Sequence, residues 1–206
     1  RELPADCEIV YLANPRLSPE EILHAIAIEL QLEVARDASK VEVMRLVHTY
    51  LLEKHANNRS VVMFIEEAQG MELDTLEEIR MLSNLETTQD KLLQIVLFGQ
   101  PELNDKLRLH EIRQLKERIT YSFDLAPLNR REIRDYLNTR IRTSGFRGND
   151  IFAPAAIRTL ERYSEGLLRR VNILADKSLL AAFSRGDRII KPRHLRMAAK
   201  DSEFHG

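Results

Sequence analysis

Two glutamates and one glutamine follow two short apolar runs in the middle of the sequence. Glu66 and Glu67 come directly after the run 61–65, and Gln100 comes two residues after the run 92–98. Ligands of open parallel sheets bind beyond the carboxyl ends of the strands, so chemistry is expected at these three side chains. Adjacent carboxylates there suit a Mg²⁺-nucleotide site, where one steers the metal ion and the other polarises an attacking water. The same pair is also compatible with a solvated loop, since strand ends are usually polar.

The elements that position these residues read as strands of a parallel sheet. A short, nearly uninterrupted apolar run that ends abruptly in polar residues is typical of a strand buried on both faces. The runs 61–65 and 92–98 have this form, and we expect them to lie side by side. Residues 8–13, closed by Asn14-Pro15, and residues 121–125 are predicted as two further strands.

Helical segments separate the predicted strands. Ser18, Ser39 and Asp74 each precede a helical pattern with an acidic residue three positions later, which predicts capped helices that end near residues 31, 56 and 85. Two short helices are expected over 102–109 and 111–118. Strands that alternate with helices of this length favour right-handed crossovers and a parallel sheet, so the predicted fold class is α/β.

The pattern changes after Asn129. Helical periodicity occupies 130–144, 154–164, 167–184 and 192–201, with no further predicted strand. We therefore predict an α/β core over residues 1–127 and an all-helical lid domain over 128–206.

Composition limits the function classes. The 206 residues are 44% apolar and 31% charged, with a formal net charge of -1, so no global basic field points to nucleic acid or an anionic membrane. The single Cys7 excludes an intramolecular disulfide, and the six histidines lack metal-ligand spacing. No apolar run approaches a membrane span, and no signal peptide is present. The basic run 185–196 has no interleaved aromatic residues, so it is predicted to be a solvated lid helix.

Five blocks of the sequence carry a family resemblance. They occur in the family's order and extend the resemblance from about residue 9 to residue 199. They resemble the AAA+ ATPases of the general secretion pathway A-type group, which includes pilus-biogenesis proteins. The blocks are 61–69, 82–87, 93–103, 113–119 and 166–172.

The sequence departs from that family at two places. Glu66 stands where the family's Walker B motif has aspartate, and no G-x-x-x-x-G-K-[ST] phosphate loop is present. The sequence starts at Arg1, roughly where the helix after that loop would end, so we expect a fragment of a longer ATPase. The family's strand that leads into the loop lies between those corresponding to 92–98 and 121–125. Its absence is expected to leave two unpaired sheet edges.

The resemblance implies a role for each candidate in the α/β core. Glu67 would be the catalytic base that orients water, and Glu66 would bind Mg²⁺. Gln100 matches the sensor 1 position, where an amide reaches the terminal phosphate and the attacking water. Arg118 takes the position of the arginine finger, with Arg113 as its competitor.

The lid contributes one further candidate. Gly166 begins a G-x-x-R pattern that matches sensor 2, and its arginine is Arg169. The neighbouring Arg170 is instead expected to form a salt bridge on the lid surface.

The resulting functional hypothesis is a partial ATPase domain. The longer protein would use ATP and Mg²⁺, form a homo-oligomer and drive assembly of a general secretion or MSHA-type pilus machine from the cytoplasmic face of the inner membrane. A chain without the phosphate loop is itself expected to have little or no ATPase activity. The alternative is a nucleotide-independent oligomerisation or interaction module. A relative of transposition ATPases is a third hypothesis, which the lack of a basic DNA-facing stripe disfavours.

Overall fold

The chain folds into two compact units. The computed structural model describes Pro4 and residues 6–13, 16–88 and 90–202. The first unit comprises Arg1–Ser122 and the second Phe123–Gly206. The division falls a few residues before the predicted one at 127/128. The predicted turn at Asn14-Pro15 and the last histidine, His205, lie outside the described residues.

A three-stranded parallel sheet forms the centre of the first unit. The strands β1 (Cys7–Leu12), β2 (Ser60–Ile65) and β3 (Leu93–Leu97) lie in that order across the sheet. Residues of β2 pair in register with both neighbours, so the predicted parallel α/β fold is confirmed. The central β2 is almost completely buried because it is covered on both faces and paired on both edges.

Helices α1 (Pro19–Glu29), α2 (Lys40–Ala56) and α3 (Leu73–Leu82) supply the helical layers of this unit. The predicted capping box at Ser18 is present, and the Ser39 hydroxyl caps α2. The predicted cap at Asp74 is wrong, because α3 begins one residue before it with Glu72 at the N-cap position. Their apolar faces and the strands enclose one core, which includes Ile22, Val47, Met63 and Leu76.

The end of the first unit is less regular than predicted. Helix α4 spans Glu102–Lys106 and α5 spans only Arg113–Lys116, preceded by the 3₁₀ turn His110–Ile112. The predicted strand over 121–125 is wrong, because the described sheet contains only β1, β2 and β3 and none of these five residues is assigned to a strand. Phe123 and Leu125 are 84% and 94% exposed.

The outer edge of β3 has no partner strand within the described residues. The Phe98 N–H donates to the Ile65 carbonyl at 2.8 Å. Because backbone groups alternate along a strand, the N–H and C=O groups of Ile95 and Leu97 point away from β2. Of the two sheet edges that were expected to lack a partner strand, the one at β3 is therefore observed within the described residues.

The second unit contains four helices within its described residues: α6 (Arg130–Thr143), α7 (Pro154–Ser164), α8 (Leu168–Phe183) and α9 (Pro192–Asp201). Asn129 closes a capping box at the start of α6. Gly166 links α7 to α8 with φ +74°, and an added Cβ there would lie 2.4 Å from the carbonyl oxygen of Leu128. The apolar faces of the four helices form a separate core.

The prediction that the basic run 185–196 forms one helix is wrong. Its first seven residues connect α8 to α9, and only its last five belong to α9. Across the described ranges, none of the helices is both long and apolar enough to cross a bilayer.

An ionic cluster joins β1 to α2. The Glu8 carboxylate accepts hydrogen bonds from the Lys54 ammonium and the Tyr50 hydroxyl. Partial burial raises the pKa of Glu8, but these two bonds outweigh burial and hold that pKa below its usual value. The cluster therefore stabilises the fold while Glu8 is ionised.

Candidate functional site

Parallel pairing of β2 and β3 brings Glu66, Glu67 and Gln100 to the carboxyl end of the sheet, which we call the sheet edge of the candidate site and which differs from the open side of β3. Ile65 and Leu97 are register partners, so Glu66 and Glu67 leave the sheet at the same end as Gln100. The Ala68 N–H donates to the Phe98 carbonyl at 2.9 Å, which ties the two exit loops together. The backbone thus fixes the spacing between the carboxylates and the glutamine.

Gln69 connects these loops through its side chain. Its Nε2 donates to the Glu67 Oε2 at 2.6 Å, and its Oε1 accepts from the backbone N–H of Gln100 at 3.0 Å. One amide therefore holds both the predicted base and the start of the predicted sensor loop. The sequence gives no role to Gln69, although its place two residues after Glu67 is the signal that would have suggested one.

The backbone conformation of Glu67 is unusual for a residue with a Cβ. Its φ and ψ are 53° and 33°, in the left-handed region, which costs about 1–2 kcal/mol for an L-residue. The 3₁₀ turn Ala68–Gly70 follows immediately. A Cβ at Gly99 would lie 3.2 Å from the Gln69 Oε1 and 2.8 Å from the Leu103 Cδ2, so a larger residue there would have to displace one of these two side chains.

Glu66 has a different neighbour. The Glu66 carboxylate lies close enough to the Tyr11 hydroxyl, on the neighbouring strand β1, to raise the pKa of Tyr11. The Glu66 N–H donates to the Leu12 carbonyl at 3.0 Å. Tyr11 has no signal in the sequence, because only the pairing of β1 with β2 shows that it reaches Glu66.

The oxygen atoms at this edge fit a hard divalent cation only with help from other ligands. The described residues contain no cluster of three or more His, Cys, Asp or Glu side chains that could hold a metal ion. Mg²⁺ commonly takes one or two protein carboxylates and fills its octahedron with waters and substrate phosphates. The exposed Glu66 and Glu67 match that pattern. A backbone cradle for the phosphates would have to come from outside this sequence, which has no G-x-x-x-x-G-K-[ST] loop.

Arg118 lies apart from the carboxylates. It is close enough to Glu86 to help lower the pKa of that carboxyl, although the main cause is a hydrogen bond from Lys91. Glu86 and Lys91 precede β3, so they mark the amino end of the strand, opposite Gln100. The competing Arg113 pairs with Glu117 at 3.2 Å.

The second unit carries the remaining candidate. Arg169 is exposed in the first turn of α8 and makes no ion pair within the described residues. Arg170 pairs with Glu165 at 2.9 Å, as expected for a surface salt bridge. The local arrangement leaves Arg169, and not Arg170, available to an anion.

Several solved structures have a fold similar to that of this chain. The chain is similar to Cdc6p from Pyrobaculum aerophilum, with a TM-score of 0.71 and 18% identity over 95% of this chain and 53% of that one. For the Aeropyrum pernix ORC2 protein the TM-score is 0.68, with 16% identity over 95% and 53%. The Thermotoga maritima RuvB Holliday junction branch migration motor gives 0.53, with 14% identity over 94% and 61%. At these identities the likeness shows the fold alone.

Sequence comparison is more specific. The chain is 39% identical over 199 residues to general secretion pathway protein A of Aeromonas hydrophila, an alignment that covers 97% of this chain and 36% of that protein. The chain thus spans about a third of that relative's length. A family model described as "AAA domain" matches residues 1–107. The chain therefore belongs to the AAA domain family and is a relative of general secretion pathway protein A.

Proposed function

We propose that this chain is the greater part of an ATPase module that couples Mg-ATP hydrolysis to the assembly of a cell-envelope machine. The observation that carries the proposal is the Gln69 bridge, which holds Glu67 and the Gln100 backbone together at the sheet edge. The relative, a general secretion pathway protein, favours a secretion machine or an MSHA-type pilus as the target.

Each side chain at the edge takes one part of the reaction. Glu67 accepts the proton of an attacking water, and the Gln69 amide keeps its carboxylate in place. The Gln100 side chain donates to a phosphate oxygen or orients the water. Glu66, close to the Tyr11 hydroxyl, would hold the metal ion. Mg-ATP, when bound, supplies the phosphoryl group and the charge that these residues act on.

The two arginines act from elsewhere. Arg118 lies at the opposite end of β3 from Gln100, which supports action on the nucleotide of a neighbouring subunit. Arg169 would contact the phosphates from the lid. The role of Arg118 requires a homo-oligomer with nucleotide at its interfaces, and we place this oligomer at the cytoplasmic face of the inner membrane beside its secretion or pilus partners.

The test is ATP turnover by a version extended at its N-terminus with a phosphate loop and the strand before it. Glu67→Gln is expected to lower its turnover at least about 100-fold, because it removes a general base. Glu72→Gln changes an exposed glutamate that makes no side-chain cap bond, so it serves as the matched control. Turnover that survives Glu67→Gln refutes the role of this carboxylate.

The alternative is a nucleotide-independent interaction module. The edge of β3 that has no partner strand among the described residues and the missing phosphate loop favour it, since an open edge can bind another chain. A folded, extended version that neither binds nor hydrolyses ATP would establish this alternative.

A further inference from the structure

Charge is divided unequally between the two units. Residues 1–122 contain 14 Lys and Arg against 22 Asp and Glu, a net charge of -8. Residues 123–206 contain 17 against 10, a net charge of +7. The near-zero total conceals this asymmetry, which gives the helical unit a field that attracts anionic surfaces.

The connection between α8 and α9 combines that charge with exposed apolar side chains. Leu180 and Phe183, one helical turn apart at the end of α8, are 63% and 85% exposed. Ile189, in the connection to α9, is 49% exposed. Arg185 and Arg188 lie between them in sequence. We call these five residues the α8–α9 tip.

The arginines of the tip are not neutralised locally. Neither Arg185 nor Arg188 forms an ion pair with another residue of the described chain. The acid between them, Asp187, is engaged by Arg193, by Lys191 at 3.6 Å and by His194 at 3.0 Å. Its charge is therefore already compensated from α9, and the tip remains cationic.

We propose that the α8–α9 tip binds the surface of an anionic lipid membrane. Apolar side chains flanked by arginines enter the boundary between headgroups and acyl chains, while the guanidinium groups pair with lipid phosphates. Nucleic acid fits less well, because only Phe183 among the three apolar side chains has an aromatic face on which a base can stack. The tip thus provides a peripheral membrane contact that depends on both charge and apolar surface.

Co-sedimentation of the 206-residue chain with lipid vesicles tests the proposal. Binding is expected with mixed phosphatidylcholine and phosphatidylglycerol vesicles, and it should weaken with salt and be absent with phosphatidylcholine alone. Each arginine near an anionic surface contributes about fivefold in affinity, so Arg185→Glu combined with Arg188→Glu should weaken binding at least about 25-fold. Phe183→Ser should weaken it about tenfold.

Two controls separate the tip from general charge and general apolar surface. Arg142→Glu combined with Arg147→Glu changes the same unit by the same charge at exposed positions. Ile28→Ser removes an apolar side chain that is 67% exposed on α1 of the other unit. The arginine control is expected to weaken vesicle binding much less than the tip variant, and Ile28→Ser is expected to leave it unchanged, with the fold of every variant checked by circular dichroism.

Several outcomes overturn the proposal. Failure of the chain to bind anionic vesicles does so directly, and an equal loss in the Arg142/Arg147 control shows that only net charge matters. Tighter binding to a single-stranded oligonucleotide, lost in the same tip variants, assigns the tip to nucleic acid. A lower sedimentation coefficient of the tip variants without vesicles assigns it to a contact between copies of the chain.

Discussion

The Gln69→Ala substitution removes the side chain that joins the two loops of the candidate site. Two hydrogen bonds are lost: the one that Gln69 donates to Glu67 and the one that it accepts from the Gln100 N–H. Both are exposed, so each contributes about 1 kcal/mol. Glu67 keeps its left-handed backbone but loses the partner that fixes its carboxylate.

Amide hydrogen exchange measures this loss at a single atom. The Gln100 N–H donates to Gln69 at 3.0 Å, so removing the acceptor should speed its exchange about fivefold. In an ATP-hydrolysing, N-terminally extended version, kcat should fall about tenfold with little change in KM, because Gln69 positions the base and does not touch substrate.

Two further variants separate the two hydrogen bonds of Gln69 from each other and from the general effect of removing a glutamine. Gln69→Glu keeps an acceptor for the Gln100 N–H but loses the donor to Glu67, so exchange should remain slow while kcat falls. Gln114→Ala, at an exposed glutamine of α5 with no hydrogen bond to a described side chain, should change neither quantity. Unchanged Gln100 exchange in Gln69→Ala would refute the bridge, and unchanged kcat would refute its role in positioning Glu67.

Three other predictions concern stability. Gly166→Ala should lower the free energy of unfolding of the helical unit by at least about 2 kcal/mol, since the new Cβ would meet a backbone oxygen at 2.4 Å; urea denaturation followed by circular dichroism measures it. Lys40→Met leaves the buried carboxylate of Glu78 without its ion-pair partner and should cost about 1–3 kcal/mol in the same assay, whereas Lys91→Met, at an exposed pair, should cost less than about 1 kcal/mol. Because the folded pKa of Glu8 lies below its ordinary value of 4.5, its stabilising effect is full above that pH and is lost as the pH falls through the folded value. Glu8→Gln should therefore flatten the acid limb of a stability-against-pH curve, and a parallel curve would contradict the assignment.

The sequence predicts the three strands well because buried parallel strands have an unambiguous composition. It fails at residues 121–125, whose alternating Tyr, Phe and Leu are typical of a strand although the described sheet does not include them. Periodicity shows which side chains favour a sheet, but it does not show which backbone they would pair with. The predicted cap at Asp74 is two residues too late, because Glu72 precedes the first helical residue, and element boundaries are the least certain part of a sequence prediction.

The candidate site likewise contains residues that the sequence predicts and contacts that it does not. Glu66, Glu67 and Gln100 are predictable, because the ends of adjacent parallel strands meet at one edge. The contacts of Tyr11 and Gln69 are not, because each depends on a register or loop conformation that the sequence does not specify. The uneven charge likewise emerges only after the boundary between the units is known, since the whole chain is nearly neutral.

Calorimetric titration of Mg-ATP tests whether the carboxyl end of this sheet is part of a nucleotide site. It should be run on this chain and on the version extended through a phosphate loop and its strand. Only the extended version is expected to bind, because the carboxylates, Gln100 and Gln69 lie at the carboxyl end of the sheet but the phosphate cradle is not among these residues. Binding to neither version would contradict the claim that this edge is a nucleotide site.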